Sequence, residues 1–209
     1  MSLITEQYAI DSAFTREPWK SLTYRDIQKI SKKKSRSYVY KALKRLLQEK
    51  IIKSETVGKS ILYSMNINSI YTQNYMAFLE EFAAGTSNLP LQILSNLGAK
   101  IALITPFYAL LVTGSYAKKT QTKKSDLDII VICDDRVNPR DIYAELKLES
   151  ELSIPKVHLY VFTKKQFLEM LLSKKENYGK EIARHHMIFR GGSAYYSILA
   201  EAIQNGFRG

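Results

Sequence analysis

Residues 113–132, TGSYAKKTQTKKSDLDIIVI, constrain the fold of this chain more than any other stretch. An apolar run from Tyr108 to Val112 feeds a tight turn at Gly114-Ser115. A ten-residue segment, mostly polar and basic, follows; Asp126-Leu127-Asp128 then opens a second apolar run, Ile129 to Ile132. Side chains two apart on a strand point to the same face, so Asp126 and Asp128 project together. Paired carboxylates suit a shared divalent ion, and Mg²⁺ prefers a few carboxylate oxygens completed by substrate phosphates. A glycine lets backbone approach a phosphate closely, and a serine adds a hydroxyl and an amide donor. The combination implies metal-assisted nucleotidyl or phosphoryl transfer.

The rest of the composition narrows the setting. With 209 residues the chain makes one large domain or two small ones, and 45% hydrophobic residues support a real core. The net charge of +11 implies a polyanionic partner. Residues 1–68 hold 14 Lys/Arg against 6 Asp/Glu, whereas residues 69–209 hold 17 against 14, so the N-terminal third is the stronger nucleic-acid candidate. The single cysteine, Cys133, excludes an internal disulfide and fits a reducing compartment. It ends an apolar run and reads as a small buried hydrophobe. No apolar run reaches the roughly 18 residues that span a bilayer. The opening MSLITEQYAID lacks the apolar stretch of a signal peptide, so the expected location is the cytoplasm, with no membrane partner.

A first helix is expected from about Thr5 to Phe14. Thr23 is placed to cap a short second helix, and Ser35 a third that runs to about Lys50. Val39, Leu43, Leu46 and Leu47 form its apolar stripe, which Arg36, Ser37, Lys41, Lys44 and Arg45 mostly avoid. IIKSETVGKSILYSMNI then reads as two strands about a Val57-Gly58-Lys59 turn. Three helices and a hairpin in this order resemble the winged helix-turn-helix family over roughly residues 3–68. That resemblance implies double-stranded DNA as a partner, with the third helix in the major groove and the hairpin on the backbone. Arg36, Ser37, Tyr38 and Lys41 would then face base edges or phosphates. Lys32, Lys33, Lys34 and Lys59 would take phosphates, and Lys44 joins the same basic face. The competing reading of these lysines is a solvated face on a dimerisation or docking module.

Residues 69–105 read as helical. Tyr71, Tyr75, Phe78, Leu79 and Phe82 lie on one face, expected to be core, with a homodimer surface as the alternative. After the break at Gly85-Thr86-Ser87-Asn88, Pro90 opens a helix with a stripe of Ile93, Leu94, Leu97 and Ile101. Beyond the two strands flanking the Gly-Ser turn, a helix is expected over about 139–152, capped by Asn138. A strand follows at 156–162, then helices at about 164–173, 179–187 and 193–205. His185 and His186 fall late in the second of these, where adjacent histidines diverge by about 100° and make a poor shared metal site.

Gly-Ser, ten residues, DxD and a later strand resemble the minimal nucleotidyltransferases of the DNA polymerase β superfamily, over roughly residues 90–205. The fold class expected is therefore α+β: residues 1–68 a winged helix-turn-helix, 69–89 a helical connector, and 90–209 a small mixed-sheet nucleotidyltransferase-like domain. By resemblance, Gly114 and Ser115 would bind the triphosphate of an NTP, with ATP expected. Asp126 and Asp128 would bind one or two Mg²⁺ ions, Ser125 would orient the turn, and Lys118 would neutralise phosphate charge. Two positions depart from the pattern. Lys119 stands where the family often has Gly. The family's third carboxylate, on the later strand, aligns with His158 in KVHLYVF; a neutral imidazole there can accept a proton from an attacking hydroxyl. Glu149 and Glu151 are the alternative carboxylates if the register differs.

Three functions remain open at this level. The leading one is transfer of a nucleotidyl group, such as AMP, to a protein or small-molecule hydroxyl, with DNA binding placing or regulating the enzyme. The second is a DNA-binding regulator whose degenerate transferase domain senses nucleotide. The third is modification of nucleic-acid ends.

Overall fold

The structure, a computed structural model, describes residues 7–209. The first helix is seen as α1 (Tyr8–Thr15); the start expected at Thr5 lies outside the described residues. The N-terminal unit continues with β1 (Leu22–Thr23), α2 (Tyr24–Ser31), α3 (Arg36–Gln48), β2 (Ile52–Val57) and β3 (Ser60–Met65). Its three strands form an antiparallel sheet in the order β1-β3-β2, so the hairpin gains a short third strand that the sequence did not announce.

Local chemistry explains the boundaries. Thr23 Oγ1 accepts from the Asp26 N–H and Asp26 Oδ2 accepts from the Thr23 N–H, a capping box that starts α2. Lys32, left-handed at φ +55°, ends that helix. Ser35 Oγ accepts from the Tyr38 N–H and starts α3. Val57 pairs with Ser60, which leaves Gly58-Lys59 as a two-residue turn. On α3, Val39, Ala42, Leu43 and Leu46 are buried, while Arg36, Ser37, Tyr40, Lys41, Lys44 and Arg45 face outward.

The connector helix α4 (Ile70–Gly85) corrects the expected aromatic face. Tyr71 is 80% exposed and Phe78 53%; the buried set is Thr72, Gln73, Met76, Ala77, Leu79 and Ala84. The buried face is rotated from the aromatic stripe onto Met76, Ala77 and Leu79, and at Ala77 only a small side chain fits: a Cβ at Gly192 would sit 2.7 Å from Ala77 Cβ. Helix α5 (Leu91–Ile104) buries Leu94, Leu97 and Ile101 as its stripe predicts.

The C-terminal sheet contains β4 (Tyr108–Val112), β5 (Leu127–Cys133), β6 (Val157–Thr163) and β7 (Met187–Arg190), in the order β6-β5-β4-β7. Strands β5 and β6 are parallel, joined through α7 (Pro139–Leu152); the other pairs are antiparallel. The chain enters β5 from α6 (Gly114–Lys118) and passes β6 into α8 (Lys164–Leu172), α9 (Tyr178–Arg184), β7 and α10 (Gly192–Gln204).

Strand β7 is the second correction. The helix expected to 187 stops at Arg184, His185 caps it, and His186 leads into a sheet edge. Gly191 then turns the chain at φ +77°, where a Cβ would collide with the Tyr108 carbonyl.

Alternation in β4 and β5 divides the core. Leu110, Val112, Ile129, Val131 and Cys133 cluster with the apolar stripes of α5 and α7. Ala109, Leu111, Ile130 and Ile132 face the other way, into a cluster with α4, α8, α9, α10 and the N-terminal helices. That second cluster runs without a break from Ile10 and Phe14 to Tyr195 and Leu199. Trp19 packs edge-on against Phe207 at 5.0 Å, tying the C-terminal tail to the N-terminal unit.

Candidate active site

The site is assembled by strand register. Asp128 pairs with His158 across the parallel β5–β6 ladder, and Asp126 lies two residues before Asp128, so period two sends all three side chains to one face. His158 stands between the carboxylates, with Nδ1 3.4 Å from Asp128 Oδ1 and Nε2 3.5 Å from Asp126 Oδ2. Side-chain exposures of 45% for Asp126, 27% for Asp128 and 43% for His158 leave the group open to solvent. Neither carboxylate is paired with Lys or Arg among the described residues.

Gly114 completes the wall. Its φ is +65°, and a Cβ there would collide with Asp128 Oδ2. The turn needs glycine twice over, for the left-handed backbone and for the carboxylate resting against it. Ser115 follows at the start of α6. Lys119 is left-handed at φ +57° as its C-cap, the conformation a glycine takes more easily. Ser125 Oγ accepts from the Thr122 N–H at 2.9 Å, closing the turn that delivers Asp126 to β5.

Other expected residues lie elsewhere. The Lys118 ammonium is bound to Glu181 Oε1 on α9 at 3.0 Å. Glu149 pairs with Lys100 at 2.9 Å, and Glu151 approaches Lys147 on the same helix. Both glutamates belong to α7, whose apolar stripe packs on the face opposite Asp128. His186 is not on the surface: its side chain is 6% exposed and Nε2 faces Glu80 Oε2 at 3.4 Å. Cys133 is buried, its thiol donates to the Phe162 carbonyl, and burial pushes the thiol up to about 11. Lys32, Lys33, Lys34, Arg36, Ser37, Tyr38, Lys41, Lys44 and Lys59 all sit on the N-terminal unit, outside this group. Lys33 Nζ lies 5.6 Å over the Tyr38 ring.

Two aromatic neighbours were not anticipated. Tyr160 is two residues beyond His158 on β6 and was legible from the same alternation. Tyr178 comes from α9, its ring centroid 5.1 Å from that of Tyr160. Burial, with Tyr160, Asp128 and Glu181 nearby, holds its hydroxyl well above the ordinary tyrosine range. Only tertiary structure brings it here.

Among the described residues, no group of three or more His, Cys, Asp or Glu side chains is arranged to hold a metal ion. The donor chemistry nevertheless suits a divalent ion held by two carboxylates and completed by substrate phosphates, the mode Mg²⁺ favours.

Residues 106–185 match the family model for the nucleotidyltransferase domain. The match runs from just before β4 to the C-cap of α9 and contains Gly114, Ser115, Asp126, Asp128 and His158. This part of the chain is thus similar to a domain of nucleotidyl transfer. No curated protein and no solved structure matches the chain. No described helix is long and apolar enough to cross a membrane.

Proposed function

We propose that the chain is an NTP-dependent nucleotidyltransferase that moves a nucleotidyl group, such as AMP, to a hydroxyl on a protein or small molecule. The observation that carries this reading is the convergence of Asp126, Asp128 and His158 beside Gly114 within the matched domain. Asp126 and Asp128 hold Mg²⁺. When bound, the ion neutralises phosphate charge and lowers the pKa of the attacking hydroxyl. Gly114 and Ser115 orient the triphosphate through backbone amides and the serine hydroxyl. The acceptor oxygen forms a bond to the α-phosphorus, the bond to the bridging oxygen breaks, and pyrophosphate leaves. The acceptor proton passes to an imidazole nitrogen of His158.

The N-terminal unit binds DNA in this reading. The exposed side of α3 presents Arg36, Ser37, Lys41 and Lys44, with Tyr40 alongside and Lys59 at the hairpin tip. A winged helix would set that face in the major groove.

A second reading, a DNA-binding regulator that senses nucleotide without turnover, is favoured by one observation: His158, not a carboxylate, stands beside Asp126 and Asp128 on β6. Pyrophosphate release from each NTP with Mg²⁺, assayed with candidate protein and small-molecule acceptors, separates the two. The enzyme reading expects release that Asp126→Asn and Asp128→Asn abolish. Nucleotide binding without release, in wild type and in His158→Asp alike, supports the regulator.

A further inference from the structure

A cavity of about 970 Å³ opens between the N-terminal helices, α4, the end of α6 and the α9–β7 junction. Gly114, Ser115, Asp126, Asp128 and His158 are not among its lining residues, so it is separate from the site above. Its walls are basic. Lys118 and Arg184 are already paired, with Glu181 and Glu176. Arg16, Lys32 and Lys119 also line it and make no ion pair among the described residues.

The acid in the described lining is Glu80, which the fold already engages: Oε1 accepts from the Tyr196 hydroxyl at 3.0 Å, and Oε2 faces His186 Nε2. Glu80 Oε2 and His186 Nε2 are buried against each other, so this acid is held within the fold and leaves the cations of the cavity uncompensated. Tyr8 and Phe82 add aromatic surface.

Each property selects part of a ligand. Uncompensated cations select phosphate, and Arg16 suits it through its forked guanidinium. Aromatic rings suit a nucleobase, since every base has a π-face to stack. The volume is at the upper end of the roughly 300–1,000 Å³ range of small-molecule pockets. We propose that this cavity binds a nucleoside phosphate distinct from the donor NTP, with its phosphates at Arg16, Lys32 and Lys119 and its base against the aromatic wall. Lys119 caps the helix whose first residues are Gly114 and Ser115, so one short segment, roughly 7 Å long at 1.5 Å per residue, joins the cavity to the donor turn. The ligand is either a free nucleotide or the terminal nucleotide of a strand.

The test is direct binding of the four NTPs, and separately of a trinucleotide, to the full chain in EDTA, where Mg²⁺-dependent binding at Asp126 and Asp128 is silent. Binding in EDTA is expected to survive Asp126→Asn with Asp128→Asn. It should weaken at least about tenfold with Arg16→Glu, which changes an exposed side chain, and with Ala83→Trp, which fills the cavity. Arg16→Glu should retain Mg²⁺-dependent NTP binding. Arg16-dependent binding of NTPs identifies a free nucleotide as the ligand; Arg16-dependent binding of the trinucleotide alone identifies a strand end. No binding in EDTA, or binding that both Arg16→Glu and Ala83→Trp leave unchanged, overturns the proposal. Arg16-dependent binding in EDTA by a wild-type chain that shows no Mg²⁺-dependent binding would support this cavity and count against the donor site.

Discussion

Gly114 and Asp128 illustrate how one residue is fixed by another. The carboxylate lies where a side chain at 114 would go, and the backbone there is left-handed. Gly114→Ala therefore meets two costs, a strained φ and a displaced Asp128. The expected loss of stability is about 1–3 kcal/mol in urea unfolding, accompanied by loss of Mg²⁺-dependent nucleotide binding. Unchanged stability and binding would mean that Asp128 has room to move away without consequence. The sequence carried much of this group. Spacing alone put Asp126 and Asp128 on one face, and the family resemblance aligned His158 with the third carboxylate; the parallel ladder then pairs His158 with Asp128. It did not carry Tyr178 or the Lys118–Glu181 pair, because both depend on where α9 docks, and no local period encodes that.

At the scale of elements, α3 and the β2–β3 hairpin are the parts on which the proposal of DNA binding rests. Their basic side chains are exposed and their apolar stripe is used up in the core. Lys41→Glu with Lys44→Glu should weaken DNA binding without unfolding the unit. If each lysine meets one phosphate, the log–log salt slope should fall by about 0.9 per contact. A salt slope equal to wild type would move the DNA contact off α3.

Capping signals made these helices legible: Thr23 with Asp26, Ser35 and Asn138 all cap where the sequence placed them. Two elements misled. Strand β7 is four residues, too short to show a period, and it follows directly on a helical pattern. In α4, a clean aromatic stripe suggested the buried face, yet the helix turns Met76, Ala77 and Leu79 inward, with Ala77 against Gly192 of α10. Hydrophobicity indicates which residues gain from burial; the separation between neighbouring elements determines which ones fit.

At the scale of the molecule, one apolar cluster joins the N-terminal helices to one face of the transferase sheet. Two units that share a core unfold together. Trp19, the single tryptophan, packs on Phe207 and so reports on this junction. Its fluorescence and the far-UV circular dichroism should follow one coincident urea transition. A Trp19 transition well before loss of helix would mean that the units separate first. The shared core also gives the DNA-binding and transfer readings a physical link, since the two units are packed through one apolar cluster.

The central claim is that Asp126 and Asp128 form a working site for a metal-bound nucleotide. Isothermal titration of the full chain with each of the four NTPs, with and without Mg²⁺, tests it most directly. Mg²⁺ should strengthen NTP binding, and Asp126→Asn with Asp128→Asn should remove this effect while the fold is retained. Binding of no NTP under either condition, or binding that Mg²⁺ and the double substitution leave unaltered, would contradict it.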